Sequence, residues 1–551
     1  MIQALSKAYQ TVSNSLIDHP NWTEISTLIR LALVAGPSSA HPTSNQLYVP
    51  EIIHLVTIVA GFGPALVRKS VYGIIINFLQ SLYVSHPEED RTGLMEFITE
   101  CTQPATLCLF GLRRETPSSE YTNFDLTNDK DALDTQERLV DFLVRIMEVT
   151  SGSKGTLRLT HLRSLVDGLP PGLLNVWRAR WMSLVTSTAF QVSPAVQIRS
   201  FIALGTLATA DVDDDFLYQI LVAFNTALGK ANETHTMSVV SMLRCMCKVV
   251  PALPESSRYV PLLFWLAVSL LQASHLAFYV ESTQLVRVTL ETMEQRGMFK
   301  KEGVQSVLLE SRLQLEQITS QLDDILKISF ESNFSFSLAS IIFKGIRHTG
   351  LKDSAGAVLR SLLSVTVRSQ ANEDLPSGFR DSISADALGY FLALLPLSTT
   401  RAAYRRLLDD CNIDDAWLPD AGLETIEDDE SQSPRIAPAF LGITDSSTAL
   451  LVTTFVGTIL TTAQGDDIET EMLCSLLSDI ALSFPQTIAL AYVSAVMSPF
   501  SSLIHTGILL DMKACKIGSR IHLQIHVMRP SFDPCRTYSE SRYKKTLDSA
   551  C

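Results

Sequence analysis

The sequence predicts an all-α fold, an armadillo/HEAT-type α-solenoid of stacked antiparallel helix pairs. Three observations lead there. The chain has 551 residues, more than one compact core fills, since such cores stop growing near ~250–300 residues. Its apolar residues recur with a helical period almost throughout. The breaks between the periodic segments are short, as tight connections between antiparallel helices require.

In chain order, the first breaks are His19-Pro20-Asn21 and Gly61-Phe62-Gly63-Pro64. Beyond them Val71, Ile74, Ile75, Phe78, Leu79 and Leu82 form an i, i+3, i+4, i+7 stripe, one face of a helix. Residues 113–133 are polar and turn-rich and read as an exposed loop. Leu139, Leu143, Ile146 and Met147 resume the stripe, and Gly168 to Gly172, Ser193-Pro194 and Pro251 interrupt it again. Trp177 and Trp181 stand at i, i+4 and read as core, because aromatic side chains bury large areas. Arg178 and Arg180 flank them as exposed contacts or a solvated rim. Val358, Leu359, Leu362 and Leu363 repeat the helical pattern further on. Segments of about 12–22 residues between breaks suit roughly twenty stacked helices. The sequence thus divides into a helical-repeat region over 1–410, an acidic flexible linker over 411–445, further helical repeats over 446–510 and an unassigned tail over 511–551. The tail is basic and has lost the helical period, which fits a gene-model artefact.

Composition excludes some functions. The chain is 46% apolar and 19% charged with a formal net charge of −14, so it has ample material for burial. It also lacks the basic balance that a nucleic-acid backbone requires. Nine cysteines without framework spacing argue against a disulfide scaffold and for a reducing compartment, with a cytoplasmic location expected. The N-terminus shows no secretory signal. Residues 259–280 and the run from Ile480 to Leu510 contain no charged side chain, and either is long enough to span a bilayer at ~20 residues. Gln272, Ser274 and His275 interrupt the first, and Pro485, Gln486, Pro499 and His505 the second. Both are expected to be buried solenoid helices, with no membrane span.

A search for chemistry returns no catalytic, cofactor-binding or metal-ligating residue, and no cofactor is expected. Gly229-Lys230 is followed by Ala231, so it lacks the phosphate-cradling pattern. Gly61-Phe62-Gly63 has no third glycine and reads as a helix–helix turn. Cys245 and Cys247 point to different sides of a helix, with no second pair nearby. His522 and His526 lie in IHLQIHV, which alternates and need not be helical. Asp211, Asp213, Asp214 and Asp215 have Phe216 and Val222 where a calcium loop needs Gly and Glu. They read as the acidic start of a helix, favoured by its dipole.

Four segments resemble the neurofibromin and fungal Ira-type Ras GTPase-activating proteins. They are residues 50–82; Trp177 to Trp181 leading to Ala189-Phe190-Gln191 and Pro194; residues 262–272; and residues 329–348, with Asn333-Phe334, Phe336, Lys344-Gly345 and Arg347-His348. The resemblance covers residues 1 to about 410 and more weakly 446–510. It implies the helical-repeat region C-terminal to that family's catalytic and lipid-binding modules, which are missing from this chain. The family's arginine finger, supplied in trans to the GTPase, belongs to one of those modules. Leu112-Arg113-Arg114-Glu115-Thr116-Pro117-Ser118 echoes the finger's spacing, but Gly111 and Glu115 depart from the pattern. The resemblance implies a non-enzymatic scaffold contributing to negative regulation of Ras, with a second copy or the rest of a larger regulator as partner. A free-standing adaptor unrelated to Ras and a GTPase-activating enzyme using Arg113 are the alternatives.

Overall fold

The computed structural model describes residues 16–17, 20–35, 48–85, 91–112, 130–150, 173–191, 193–208, 212–229, 236–272, 276–313, 330–331, 333–371, 382–413, 436, 440–463, 466–486, 508–511 and 524–527. These fall into two compact units, Met1–Gly297 and Met298–Cys551.

The first unit contains helices α1 (Trp22–Ala35), α2 (Val49–Val59), α3 (Ala65–Ser85), α4 (Arg91–Cys101), α5 (Pro104–Leu109), α6 (Lys130–Thr150), α7 (Leu173–Ala189), α8 (Pro194–Leu207), α9 (Asp214–Gly229), α10 (Thr236–Val249), α11 (Tyr259–Leu270) and α12 (Leu276–Gln295). The pairs α7–α8, α9–α10 and α11–α12 each pack side by side, and α8, α10 and α12 stack on one another as a continuous row. That row begins at residues 194, 236 and 276. Neighbour-to-neighbour stacking of helix pairs defines a solenoid, because each pair buries its apolar face against the next. Val71, Ile74, Ile75, Phe78 and Leu79 are all buried, as are Leu139, Leu143, Ile146 and Met147. α6 begins at Lys130, inside the segment expected to be a loop, and residues 113–129 lie outside the described residues.

The turn between α2 and α3 shows why glycine is required there. Gly61 and Gly63 have φ of 78° and 76°, a region L side chains rarely adopt. At Gly63 an added Cβ would also sit 2.6 Å from the Trp22 ring.

The second unit contains α13 (Val304–Arg312), α14 (Phe334–Ile346), α15 (Lys352–Ala371), α16 (Ala385–Leu394), α17 (Arg401–Asp410), α18 (Ser446–Thr461) and α19 (Asp467–Ser483). α14, α15 and α16 pack mutually, and α18 packs on both α16 and α19. Two starts are set by aspartates: Asp445 accepts from the Ser447 and Thr448 amides at 2.8 Å, and Asp466 from the Ile468 and Glu469 amides at 3.1 and 3.2 Å. Such caps satisfy amides that the first turn leaves unpaired. Most of the expected linker, residues 414–435 and 437–439, lies outside the described residues. Ile436, Phe440, Leu441 and Ile443 at its end are buried, and the Ile383 amide donates to the Phe440 carbonyl at 3.0 Å. A two-stranded antiparallel ribbon, β1 (Ile508–Asp511) with β2 (Gln524–Val527), is the one departure from helix among the described residues. β2 falls in the tail where the helical period is lost, whereas Ile508 to Leu510 of β1 lie at the end of the segment expected to be helical repeats.

The uncharged run at 259–280 is divided between α11 and α12. Trp265 in α11 is fully buried, as expected of an inner helix. No described helix is long and apolar enough to cross a membrane, and residues 487–507 of the second run lie outside the described residues.

Candidate interaction surface

The structure gives the motifs singled out in the sequence structural places. Trp177 and Trp181 are buried. Arg178 pairs with Glu148 of α6 at 2.7 Å, and Arg180 with Glu51 of α2 at 2.9 Å. Asp213 accepts from the Phe216 amide at 2.7 Å, and Asp214 and Asp215 occupy the first turn of α9. Cys245 is buried and Cys247 half-buried, with the Cys247 Sγ 4.0 Å from the Glu281 carbonyl. Burial pushes the Cys245 thiol up to about 12 and raises that of Cys247 too, with Glu281 adding to it. Burial likewise lifts Cys411 to about 12, as it does Cys101, aided there by Glu100. Thiols held protonated in this way are poor nucleophiles. His526 lies in β2 opposite Leu509. Asp211, Lys230, His522 and residues 113–118 lie outside the described residues. Among the described residues no group of His, Cys, Asp and Glu is arranged to hold a metal.

Arginines tie the helix layers together, and sequence reasoning missed them. Arg199 of α8 is fully buried, and its Nη1 donates to the Ala60 carbonyl at 2.7 Å and the Thr57 carbonyl at 3.3 Å. Its guanidinium lies 4.1 Å from the centre of the Phe62 ring. Gln136 of α6 donates to the same Thr57 carbonyl at 3.0 Å. The last carbonyls of a helix have no partner within it and carry the negative end of its dipole. A cation from another helix therefore caps α2 and binds it to the row. Arg68 of α3 does the same for the Gly111 carbonyl beyond α5, at 2.7 Å. Burial pulls the Arg199 pKa down to about 9, which leaves the group charged at neutral pH. One signal pointed to it: Arg199 is the lone charge in PAVQIRSFIALGTL.

Beside this seam His54 of α2 is buried, and its Nδ1 finds no hydrogen-bond partner among the described residues. Burial lowers its pKa to about 4. The unfolded chain then takes up a proton near pH 6.5 while the folded chain does not. The His54 contribution is complete above pH 6.5 and is lost progressively as the pH falls toward 4. Between pH 7 and 5 this amounts to about 2 kcal/mol. Urea unfolding at both pH values should show that loss in the native chain and a smaller one in His54→Gln; an equal loss in both would rule His54 out as its source.

Among the described residues a network of charged side chains links α6, α10 and α12 and reaches Thr206 of α8. Arg244 of α10 holds Asp134 at 2.6 Å, Glu281 at 3.0 Å and Glu137 at 3.4 Å. Lys248, one turn on, holds Glu137 at 2.9 Å and donates to the Thr206 hydroxyl at 3.1 Å. Burial works against the Arg244 charge, but Glu281, Asp134 and Glu137 outweigh it and raise its pKa. Asp141, next along α6, has its carboxyl raised by burial, with Lys248 opposing and Glu137 adding. Four carboxylates thus face two cations, and the Asp134 side chain is 49% exposed. A surface of this kind can receive a further guanidinium or ammonium group, since opposite charges meeting across an interface steer association and fix register.

The fold defines the chain as an all-helical protein of stacked helix pairs. Two yeast proteins are similar to it in sequence. The chain is 19% identical over 350 residues to inhibitory regulator protein IRA2 of Saccharomyces cerevisiae, covering 62% of this chain and 11% of that protein. It is 21% identical over 408 residues to inhibitory regulator protein IRA1 of the same yeast, covering 72% of this chain and 12% of that protein. The chain thus spans about a tenth of the length of these relatives. No protein-family profile matches it. Among solved structures, an engineered protein aligns over 91% of this chain and 95% of its own, at 12% identity and a TM-score of 0.27, too low to bear on the fold.

Proposed function

We propose that the chain is the helical scaffold region of an Ira-type Ras GTPase-activating protein. It contributes to negative regulation of Ras through protein–protein contacts or self-association in the cytoplasm. The observation that carries this reading is the similarity to two inhibitory regulators over 62% and 72% of the chain. The row of α8, α10 and α12, starting at residues 194, 236 and 276, supports a HEAT or armadillo register, whose period is ~40–47 residues. In this reading the chemistry of GTP hydrolysis comes from a separate catalytic domain. The solenoid positions that domain, and the carboxylates around Arg244 receive a basic partner.

The test adds the purified chain to Ras bound to GTP and follows hydrolysis. The rate should stay at its intrinsic value. An acceleration that disappears in Arg113→Ala would overturn the reading in favour of an enzyme.

A further inference from the structure

α18 and α19 form a helix pair with its own apolar seam. Val452, Val456 and Ile459 from one helix and Leu473, Leu476 and Ile480 from the other are buried, and the two helices pack together. The pair meets α14 through side chains on one stripe. Phe336, Phe343 and Arg347 fall at i, i+7 and i+11, and so share a face that continues off the end of α14. Phe455 of α18 lies against both rings, with centroids 5.7 Å from Phe336 and 6.2 Å from Phe343.

Next to this apolar contact is a polar one. Arg347 donates to Glu469 of α19 at 2.5 and 3.1 Å, to the Ile459 carbonyl at 3.0 Å and to the Thr462 hydroxyl at 3.2 Å. Its guanidinium also sits 5.2 Å from the Phe343 centroid. Glu469 is almost wholly buried, so this bidentate pair is of the strong, charge-assisted kind. One side chain therefore grips the last turn of α18 and the first turn of α19 together.

The lead-in to the pair is fixed separately. The Phe440 ring packs on Phe391 at 5.8 Å, and Gly442, at φ 61°, has the Ile383 carbonyl 3.1 Å from where a Cβ would be. Past Ile443 come Thr444 and the Asp445 cap. A pair with its own seam and an anchored lead-in, meeting the body along the α14 stripe and at α16, has the layout of a unit that opens by itself.

We infer that α18–α19 is a latch, opening about residues 444–445 as one body and held closed by Arg347. Opening leaves α14, α15 and α16 packed and uncovers the Phe336–Phe343–Arg347 stripe.

Hydrogen exchange on the full chain tests this, with Arg347→Met and, as a milder change that keeps the shape of the buried acid, Glu469→Gln. Amides within 446–486 should exchange faster by about tenfold or more in both variants, while those of α14, α15 and α16 keep their native rates. Unchanged exchange in 446–486 would overturn the inference. So would acceleration spread equally over α14 to α16, because the unit would then open as a whole.

Discussion

Replacing Arg199 with methionine is expected to destabilise the Met1–Gly297 unit by about 2–4 kcal/mol, although methionine fills a comparable volume and removes a buried charge. Two effects compete. Taking a guanidinium out of water is costly, and among the described residues Arg199 meets no carboxylate in return. Against that, it satisfies the Ala60 carbonyl at 2.7 Å and contributes to the Thr57 carbonyl, and it stacks on Phe62 at 4.1 Å. A hydrogen bond from a charged group contributes about 1.5–3 kcal/mol, and a desolvated cation–π contact about 2 kcal/mol. Removal leaves the Ala60 carbonyl without this donor at a buried helix end, whereas Thr57 retains Gln136. Arg199→Lys should not restore stability, because an ammonium lacks the planar fork that reaches carbonyls while stacking on a ring. Urea unfolding followed by tryptophan fluorescence reads this directly, since Trp22, Trp177, Trp181 and Trp265 all lie in this unit. A midpoint unchanged in Arg199→Met would mean that the tie is dispensable.

The second large effect is expected at Gly389 in α16. On helix propensity alone, Gly389→Ala should stabilise by about 1 kcal/mol. The packing says the opposite. An added Cβ would lie 2.5 Å from the Ser335 carbonyl carbon and 2.6 Å from both the Ser335 oxygen and the Phe336 nitrogen. All three are backbone atoms of α14 or its first turn, so no side chain can swing aside. α14 and α16 must separate, and overpacking of this kind costs about 1–3 kcal/mol or more for small insertions. A net loss of about 2 kcal/mol is therefore expected for alanine, with valine worse. Calorimetry of the full chain should show the transition of the Met298–Cys551 unit moved down in Gly389→Ala. A transition moved up would mean that propensity outweighs the clash.

These two residues mark the limit of what the sequence makes legible. Repeating stripes such as Val71 to Leu79 announce helices, because burial along one face imposes the period. The turn at Gly61-Phe62-Gly63 was equally plain, since glycine supplies the positive φ that the backbone there requires. Arg199 and Gly389 were not legible as a tie and a close approach, because each acts on residues distant in the chain. Arg199 reaches Ala60 across 139 positions, and Gly389 meets Ser335. The cluster around Arg244 joins helices as far apart as α6 and α12, so no local pattern in the sequence marks its members. The buried Trp177 and Trp181 and the acidic start of α9 fell where local pattern placed them.

The central claim is that this helical region, by holding partners, helps restrain Ras. Its most direct test is the GTP-bound fraction of Ras in cells from which the coding region for these residues has been removed, with the rest of any surrounding gene left intact. The account predicts a raised GTP-bound fraction, restored when the native region is returned. A fraction unchanged by the removal would contradict it.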